Sequence, residues 1–185
     1  MRWKLITLGS LSFAIALLQA LGFFNGINEA INSLLPQGGD VVKAVTTLAD
    51  THVVLIIITA VLAIRYHKNK GNAQEFLRPY LSFALVLITV GLLKLAYHTP
   101  RPITYGSGIG AFAFPSGHTA KASMLANYLS DVFPKYKAII WTFPVVIGAT
   151  RLLLHVHWFS DVLFGLFYGA FIDEVVKVVM KSELP

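Results

Sequence analysis

Apolar runs of bilayer-crossing length recur along this chain, and only short polar segments separate them. A helix that crosses a bilayer takes about 20 mostly apolar residues. Backbone groups in hydrocarbon must be satisfied internally, which restricts a spanning segment to a helix or a closed barrel. The 185 residues are 56% hydrophobic and 13% charged, with a mean hydropathy of +0.67. That is about half the charged share of a soluble domain. There is room for six spans and short loops, and none for a separate soluble domain. The expected fold class is all-α: a polytopic membrane helix bundle with six transmembrane helices, in a single domain over residues 1–185.

The first run, residues 6–24, follows Arg2 and Lys4. A secretory signal also begins with basic residues, but this run is longer than a signal's apolar core and more spans follow it, so it reads as an uncleaved first helix. Residues 25–50 are mixed. Ile27, Ile31, Leu34 and Leu35 fall at helical spacing, and Pro36-Gln37-Gly38-Gly39 breaks the pattern, which predicts a short amphipathic helix on the membrane surface. Residues 52–66 form the core of a second span and 67–78 a basic loop. Residues 79–97 are the third span, with Pro79 at a helix start, where its missing N–H does no harm. TPRPITYGSGIGAFAFP, residues 99–115, is a loop. Residues 117–132 are helical but polar, which predicts a fourth helix buried among the others. Residues 138–154, with Pro144 inside, and 159–180 complete the six. Gly165 and Gly169 form a close-packing pair for use within the bundle.

Charge placement sets the orientation. With the N-terminus inside, ten of the 15 Lys and Arg fall on the cytoplasmic side: Arg2, Lys4, Arg65, Lys68, Lys70, Arg78, Lys135, Lys137, Lys177 and Lys181. The positive-inside rule then puts both termini in the cytoplasm. The other five are Lys43, Lys94, Arg101, Lys121 and Arg151, and the last four lie in or beside spans. Ionisable groups at such depth are costly and mark function.

Following the helices in this orientation collects Lys94, Arg101, His118, Arg151, His157 and Asp161 at one level near the outer interface. Cations with two histidines and one carboxylate suit a multiply charged anion, phosphate above all. Arg101 and Arg151 offer paired N–H donors, and Lys94 a point charge. Ser116, Gly117 and His118 open the fourth helix, where free backbone N–H groups cradle an anion. His157 and Asp161 are one helical turn apart, so the carboxylate can fix the imidazole's tautomer. His157 then reads as a nucleophile and His118 as the acid that protonates the leaving oxygen.

Those residues fall in three spaced motifs: KLAYHTPRP (94–102), PSGH (115–118) and TRLLLHVHWFSD (150–161). In these the chain resembles the type-2 phosphatidic acid phosphatase (PAP2) family, whose motifs are K-x6-R-P, P-S-G-H and S-R-x5-H-x3-D. Thr150 replaces the usual serine and keeps the hydroxyl. The resemblance implies a membrane phosphatase domain over residues 1–185 that hydrolyses a lipid phosphate or lipid pyrophosphate on the extracytoplasmic face of the cell membrane. It implies a phosphohistidine on His157 oriented by Asp161, His118 as general acid, and phosphate binding by Lys94, Arg101, Ser116, Gly117 and Arg151. It also implies no cofactor and no metal.

Other readings are weaker. The absence of cysteine excludes disulfides and thiolate chemistry, and His155-x-His157 lacks a well-placed third metal ligand. Tyr97, Tyr105 and Trp158 read as interfacial anchors. Lys121, one turn from His118, can touch the site or equally pair with Asp131 or a carbonyl, and is left outside the site set. An anion transporter would need polar residues through its whole depth, whereas the inner halves of the second, third and fifth spans read as aliphatic. Vanadate haloperoxidases share the motifs but are soluble. Phosphate transfer to a second lipid would use the same site. Candidate substrates are undecaprenyl or dolichyl pyrophosphate, phosphatidylglycerol phosphate, phosphatidic acid and lipid A. The expected partners are that lipid and the surrounding membrane lipids, with no nucleic acid and no obligatory protein.

Overall fold

A computed structural model describes residues 2–68 and 73–180. Among these the regular structure is all helix, with no strand. Eight α-helices follow in order: α1 (Arg2–Ala20), α2 (Asn25–Leu34), α3 (Asp40–Thr46), α4 (Thr51–His67), α5 (Ala73–Tyr97), α6 (Gly117–Val132), α7 (Lys137–Leu153) and α8 (Phe159–Val179). Lys70 and Lys181, counted above among the cytoplasmic cations, lie outside the described residues.

Among the described residues three helices are long and apolar enough to cross a membrane: α1 over Trp3–Ala20, α5 over Glu75–Tyr97, and α7 with the turn before it over Pro134–Leu153. A fourth span arises if α3, its 3-10 extension and α4 are taken together, bent by 52°. The protein is a membrane helix bundle. Its outer faces carry exposed large apolar side chains, such as Phe13, Ile56, Ile88, Leu92, Ile139 and Val145. In water that would be costly, but against lipid tails it is the expected surface.

The polar helix sits where its composition placed it. Most of α6 is buried, including Lys121, Ser123 and Asn127, with α8, α7 and α5 around it. Gly165 and Gly169 let α8 lie directly on α6: a Cβ on Gly169 would meet the Ala120 carbonyl oxygen at 2.0 Å, and one on Gly165 the Ser116 oxygen at 3.0 Å. The pair therefore serves the bundle interior.

Two sequence expectations shift. α5 starts at Ala73 and holds Pro79 inside it rather than at its start, so part of the supposed basic loop is helix. Residues 25–50 form two helices instead of one, and α3 joins α4 through the bend.

Candidate active site

The level predicted from the sequence exists as one end of the bundle: the C-terminal ends of α5 and α7, the N-terminal ends of α6 and α8, the 98–116 loop, and the α3–α4 bend. A cavity of ≈ 430 Å³ opens there, lined by Gln37, Lys43, Thr46, Thr47, Asp50, Ile103, Tyr105, His118, Arg151, Leu154 and Val156.

His157 lies between α7 and α8 with only 2% of its surface exposed. Its Nδ1 is 3.1 Å from Asp161 Oδ2, and Arg101 Nη1 is 3.2 Å from its Nε2. A guanidinium can only donate, so Nε2 accepts and the ring proton is on Nδ1, facing the carboxylate. This tautomer presents the lone pair of Nε2 to the Arg101 guanidinium. Burial holds the His157 pKa well below the usual histidine range, and the neighbouring cations Arg101, Arg151 and Lys94 add to this. The imidazole is neutral at pH 7. Asp161 Oδ2 also accepts from Trp158 N at 2.8 Å, while its Oδ1 has no partner among the described residues.

Of the predicted phosphate ligands, Arg101 and Arg151 both place their guanidinium groups near the ring of Tyr105, 5.0 and 5.9 Å from its centroid. Arg101 donates to the carbonyls of Gly110 (3.0 Å) and Val156. Arg151 donates to Thr46 Oγ1 at 3.1 Å, and its Nε is buried with no partner. A buried, unsatisfied guanidinium N–H costs stability unless something fills its acceptor position; a phosphate oxygen fits that need.

Lys94 is engaged by the loop: its Nζ donates to the carbonyls of Phe112 and Ala113. The Ser116 hydroxyl caps α6, receiving Thr119 N at 3.5 Å and lying 2.9 Å from Thr119 Oγ1. The Ser116 N–H donates to the Asp161 carbonyl at 3.2 Å. The N–H groups that start α6 without an intrahelical acceptor therefore include those of Gly117 and His118. His118 faces the cavity, with its Nε2 2.9 Å from Asp50 Oδ1.

Several sequence readings are corrected. Tyr105, read from the sequence as an interfacial anchor, lines the cavity beside Arg101 and Arg151. Lys121 donates to Thr51 Oγ1 at 3.1 Å, whereas Asp131 is taken by Arg78 and Lys177. His155 bonds Asn32 at 2.7 Å through its Nδ1, so the two rings of the H-x-H pair have separate partners. The sequence reading missed Thr46, Asp50 and Thr51 altogether. The available signal was Asp50, a carboxylate directly ahead of an apolar run on the same side as the cations.

The PAP2 superfamily model matches residues 75–183, more than half of the chain. Lipid A 1-phosphatase of Rhizobium johnstonii is 32% identical over 127 residues, covering 60% of this chain and 52% of that protein. Lipid A 1-phosphatase of Porphyromonas gingivalis is 29% identical over 129 residues, covering 65% and 28%. The chain thus spans about half or less of the length of these curated relatives. Among solved structures, the first transmembrane PAP2-type phosphatidylglycerolphosphate phosphatase, from Bacillus subtilis, superposes with a TM-score of 0.78 at 23% identity, over 97% of this chain and 96% of that one. Aquifex aeolicus LpxE superposes with a TM-score of 0.64 at 22% identity, over 82% and 92%. The fold is shared with both, and with the family model matched across all three motifs the chain belongs to the PAP2 superfamily.

Proposed function

We propose that the chain is a metal-independent lipid phosphatase in which His157 is the nucleophile. The observation that carries this reading is the bonding of His157: Asp161 takes its Nδ1–H, and Arg101 lies 3.2 Å from the Nε2 lone pair. A phosphate drawn to Arg101 and Arg151 would bring its phosphorus to that nitrogen. Nε2 attacks phosphorus, the phosphorus–oxygen bond to the lipid breaks, and His118 gives its proton to the departing lipid oxygen. Water then attacks the phosphohistidine while His118 takes up a proton, releasing phosphate and restoring both rings. Gly117 and His118 N–H groups at the start of α6 stabilise the oxygens as charge gathers on them. Lys94 and Ser116 shape the phosphate site by holding the 112–116 backbone.

The membrane arrangement follows the same reading: six spans in a single domain over residues 1–185, both termini cytoplasmic, the site on the outer face of the cell membrane. The named activities of the relatives make lipid A 1-phosphate the first substrate to try. Phosphatidylglycerol phosphate follows, from the structural neighbour.

The test is phosphate release by the purified chain in detergent from these two lipids, phosphatidic acid and undecaprenyl pyrophosphate, with excess EDTA. Release from at least one, unaffected by EDTA and inhibited by vanadate, is expected. Release that appears only when a divalent metal is added would overturn the reading.

A further inference from the structure

We infer that Asp50 is the positioning residue of the acid histidine, so that the site holds two imidazole–carboxylate pairs, Asp161 with His157 and Asp50 with His118. The inference rests on the proposed acid role of His118.

Asp50 occupies the 52° break between α3 with its 3-10 extension and α4. Its backbone is extended (φ −65°, ψ 151°), as an N-cap should be, yet its side chain makes no cap hydrogen bond to α4. An N-cap aspartate ordinarily accepts from the N–H two or three residues on, and losing such a cap costs about 1 kcal/mol. Here the carboxylate turns away from its own helix and meets His118 Nε2 at 2.9 Å. The next residue ties the same break to α6 a turn further along, where Thr51 Oγ1 accepts from Lys121 at 3.1 Å. The bend is thus fastened to the acid's own helix by two consecutive side chains.

The charges explain why the acid needs this partner. To protonate a leaving oxygen, His118 must be an imidazolium, and Arg151 and Lys121 both act on it with like charge. Asp161 is committed to His157 and the Trp158 N–H. Asp50 is the carboxylate bonded to His118 among the described residues, and it lines the same cavity. Engaging Nε2 also fixes the ring plane and leaves Nδ1 as the nitrogen that can reach the leaving oxygen.

The test compares His118→Ala, Asp50→Ala, Asp50→Asn and the double variant His118→Ala/Asp50→Ala, in detergent. Each is assayed on a lipid monophosphate that the purified chain hydrolyses and on p-nitrophenyl phosphate, whose leaving group departs without a proton. General acid catalysis contributes about 10²–10⁴-fold, so His118→Ala should lose roughly that much on the lipid and much less on p-nitrophenyl phosphate. Asp50→Ala should show the same split at roughly 10- to 100-fold on the lipid. Asp50→Asn, which keeps an acceptor oxygen and drops the charge, should fall between Asp50→Ala and the unmodified chain. The double variant should be no slower than His118→Ala, because a positioning residue has nothing left to position.

Equal losses of His118→Ala on both substrates would remove the acid role, and the inference with it. A split for His118→Ala with none for Asp50→Ala, or a double variant slowed by the product of the single losses, would overturn the inference alone. If Asp50→Ala does not yield a monodisperse protein, Asp50→Asn carries the same comparison.

Discussion

Arg78 and Arg101 are both arginines drawn into the bundle, one at each end, and their partners differ in kind. Arg78 lies near the start of α5 and Lys94 near its end, 16 residues on, or roughly 24 Å along a helix axis. At the Arg78 end, cations meet carboxylates. Arg78 bonds Asp173 at 2.5 and 3.1 Å and Asp131 at 2.8 Å. Lys177 shares Asp131, Lys4 bonds Glu174 at 2.5 Å, and Arg65 bonds Glu75 at 2.9 Å. Ser82 and Asn127 supply further bonds to Asp173. Four cations face four carboxylates, and the network ties α1, α4, α5, α6 and α8 together. At the Arg101 end, cations meet carbonyls, hydroxyls and a neutral imidazole, and a cavity lies open beside them. Burial of ions is common to both ends. An unbalanced positive charge beside an opening is what the proposed phosphate site requires.

This contrast also corrects one reading of the sequence. The half of α5 away from the site is not aliphatic throughout, because Arg78 and Ser82 are fully buried there. Those groups are neutralised in place, so a closed, charge-balanced cluster meets an open, cationic one with aliphatic packing between them, Val86 and Val90 of α5 among it.

The largest effects should separate the ends outright. His157→Ala should reduce turnover of every substrate to background, because no phosphohistidine can form, while the protein keeps its elution profile and loses less melting temperature than Arg78→Ala does. Arg78→Ala should do the reverse. It strands Asp173 in the interior and leaves Asp131 to Lys177 alone, and breaking a buried ion pair costs about 3–5 kcal/mol. The expected result is poor recovery from the membrane and a lower melting temperature, with near-normal activity per folded molecule. Thermal unfolding and phosphate release measured on the same samples check both. A thermally intact but inactive Arg78→Ala would mean the two ends are not independent.

The two ends should also lie on opposite sides of the membrane. Single cysteines at Ser107 and Lys68, in a chain that has none of its own, should label oppositely with an impermeant maleimide on intact cells. Ser107, in the loop beside the site, should react, and Lys68, after α4, should react only after lysis. The opposite pattern would put the site in the cytoplasm.

A smaller loss is expected within the cationic cluster. Arg151→Ala removes a guanidinium whose Nε has no partner, so the resting protein loses little. Substrate binding and the transition state lose charge-assisted bonds worth about 1.5–3 kcal/mol, or roughly 10- to 150-fold in kcat/KM. Kinetics alongside melting temperature measure this. A large stability loss without a kinetic one would assign Arg151 to the scaffold.

Which parts of this arrangement were legible beforehand follows from how local the signal is. Arg151, His157 and Asp161 lie within eleven residues, and the one-turn spacing of His157 and Asp161 was enough to foresee their hydrogen bond. Lys94, Arg101 and His118 needed only the direction of each helix to be gathered. The bend of α3 on α4 had no such signature. Residues 25–35 carry a helical period but residues 36–50 have none, and the one signal there, Asp50 ahead of an apolar run, does not say that Thr46 and Asp50 line the cavity. The partners of Arg78 were hidden for another reason. Asp131, Asp173 and Lys177 sit on helices far apart in sequence, and a cation close to a span end reads equally well as a flanking residue or as one drawn inside.

The smallest expected effect concerns the charge state of His157, and it tests whether the two ends are electrically separate. Burial first, and then the charges of Arg101, Arg151, Lys94 and His118, push its pKa well below the ordinary histidine value, which is about 6.5. The sign follows from the form that burial disfavours. The imidazolium is the costly state, so as pH falls the ring stays neutral through the range where an exposed histidine would protonate, and the nucleophile is lost only at more acidic pH. Nitrogen-15 NMR of histidine-labelled protein in phosphate-free detergent buffer should place the His157 midpoint clearly below 6.5, the ordinary value. Arg101→Gln removes one of those charges and should raise that midpoint, though not to the ordinary value, because burial is the larger cause. Lys177→Gln removes a cation of the opposite end, where Asp131 already balances it, and should leave the midpoint where it is. If Lys177→Gln moved it as far as Arg101→Gln does, the charge of the two clusters would be shared across the bundle, and the distinction between a balanced end and a cationic one would fail.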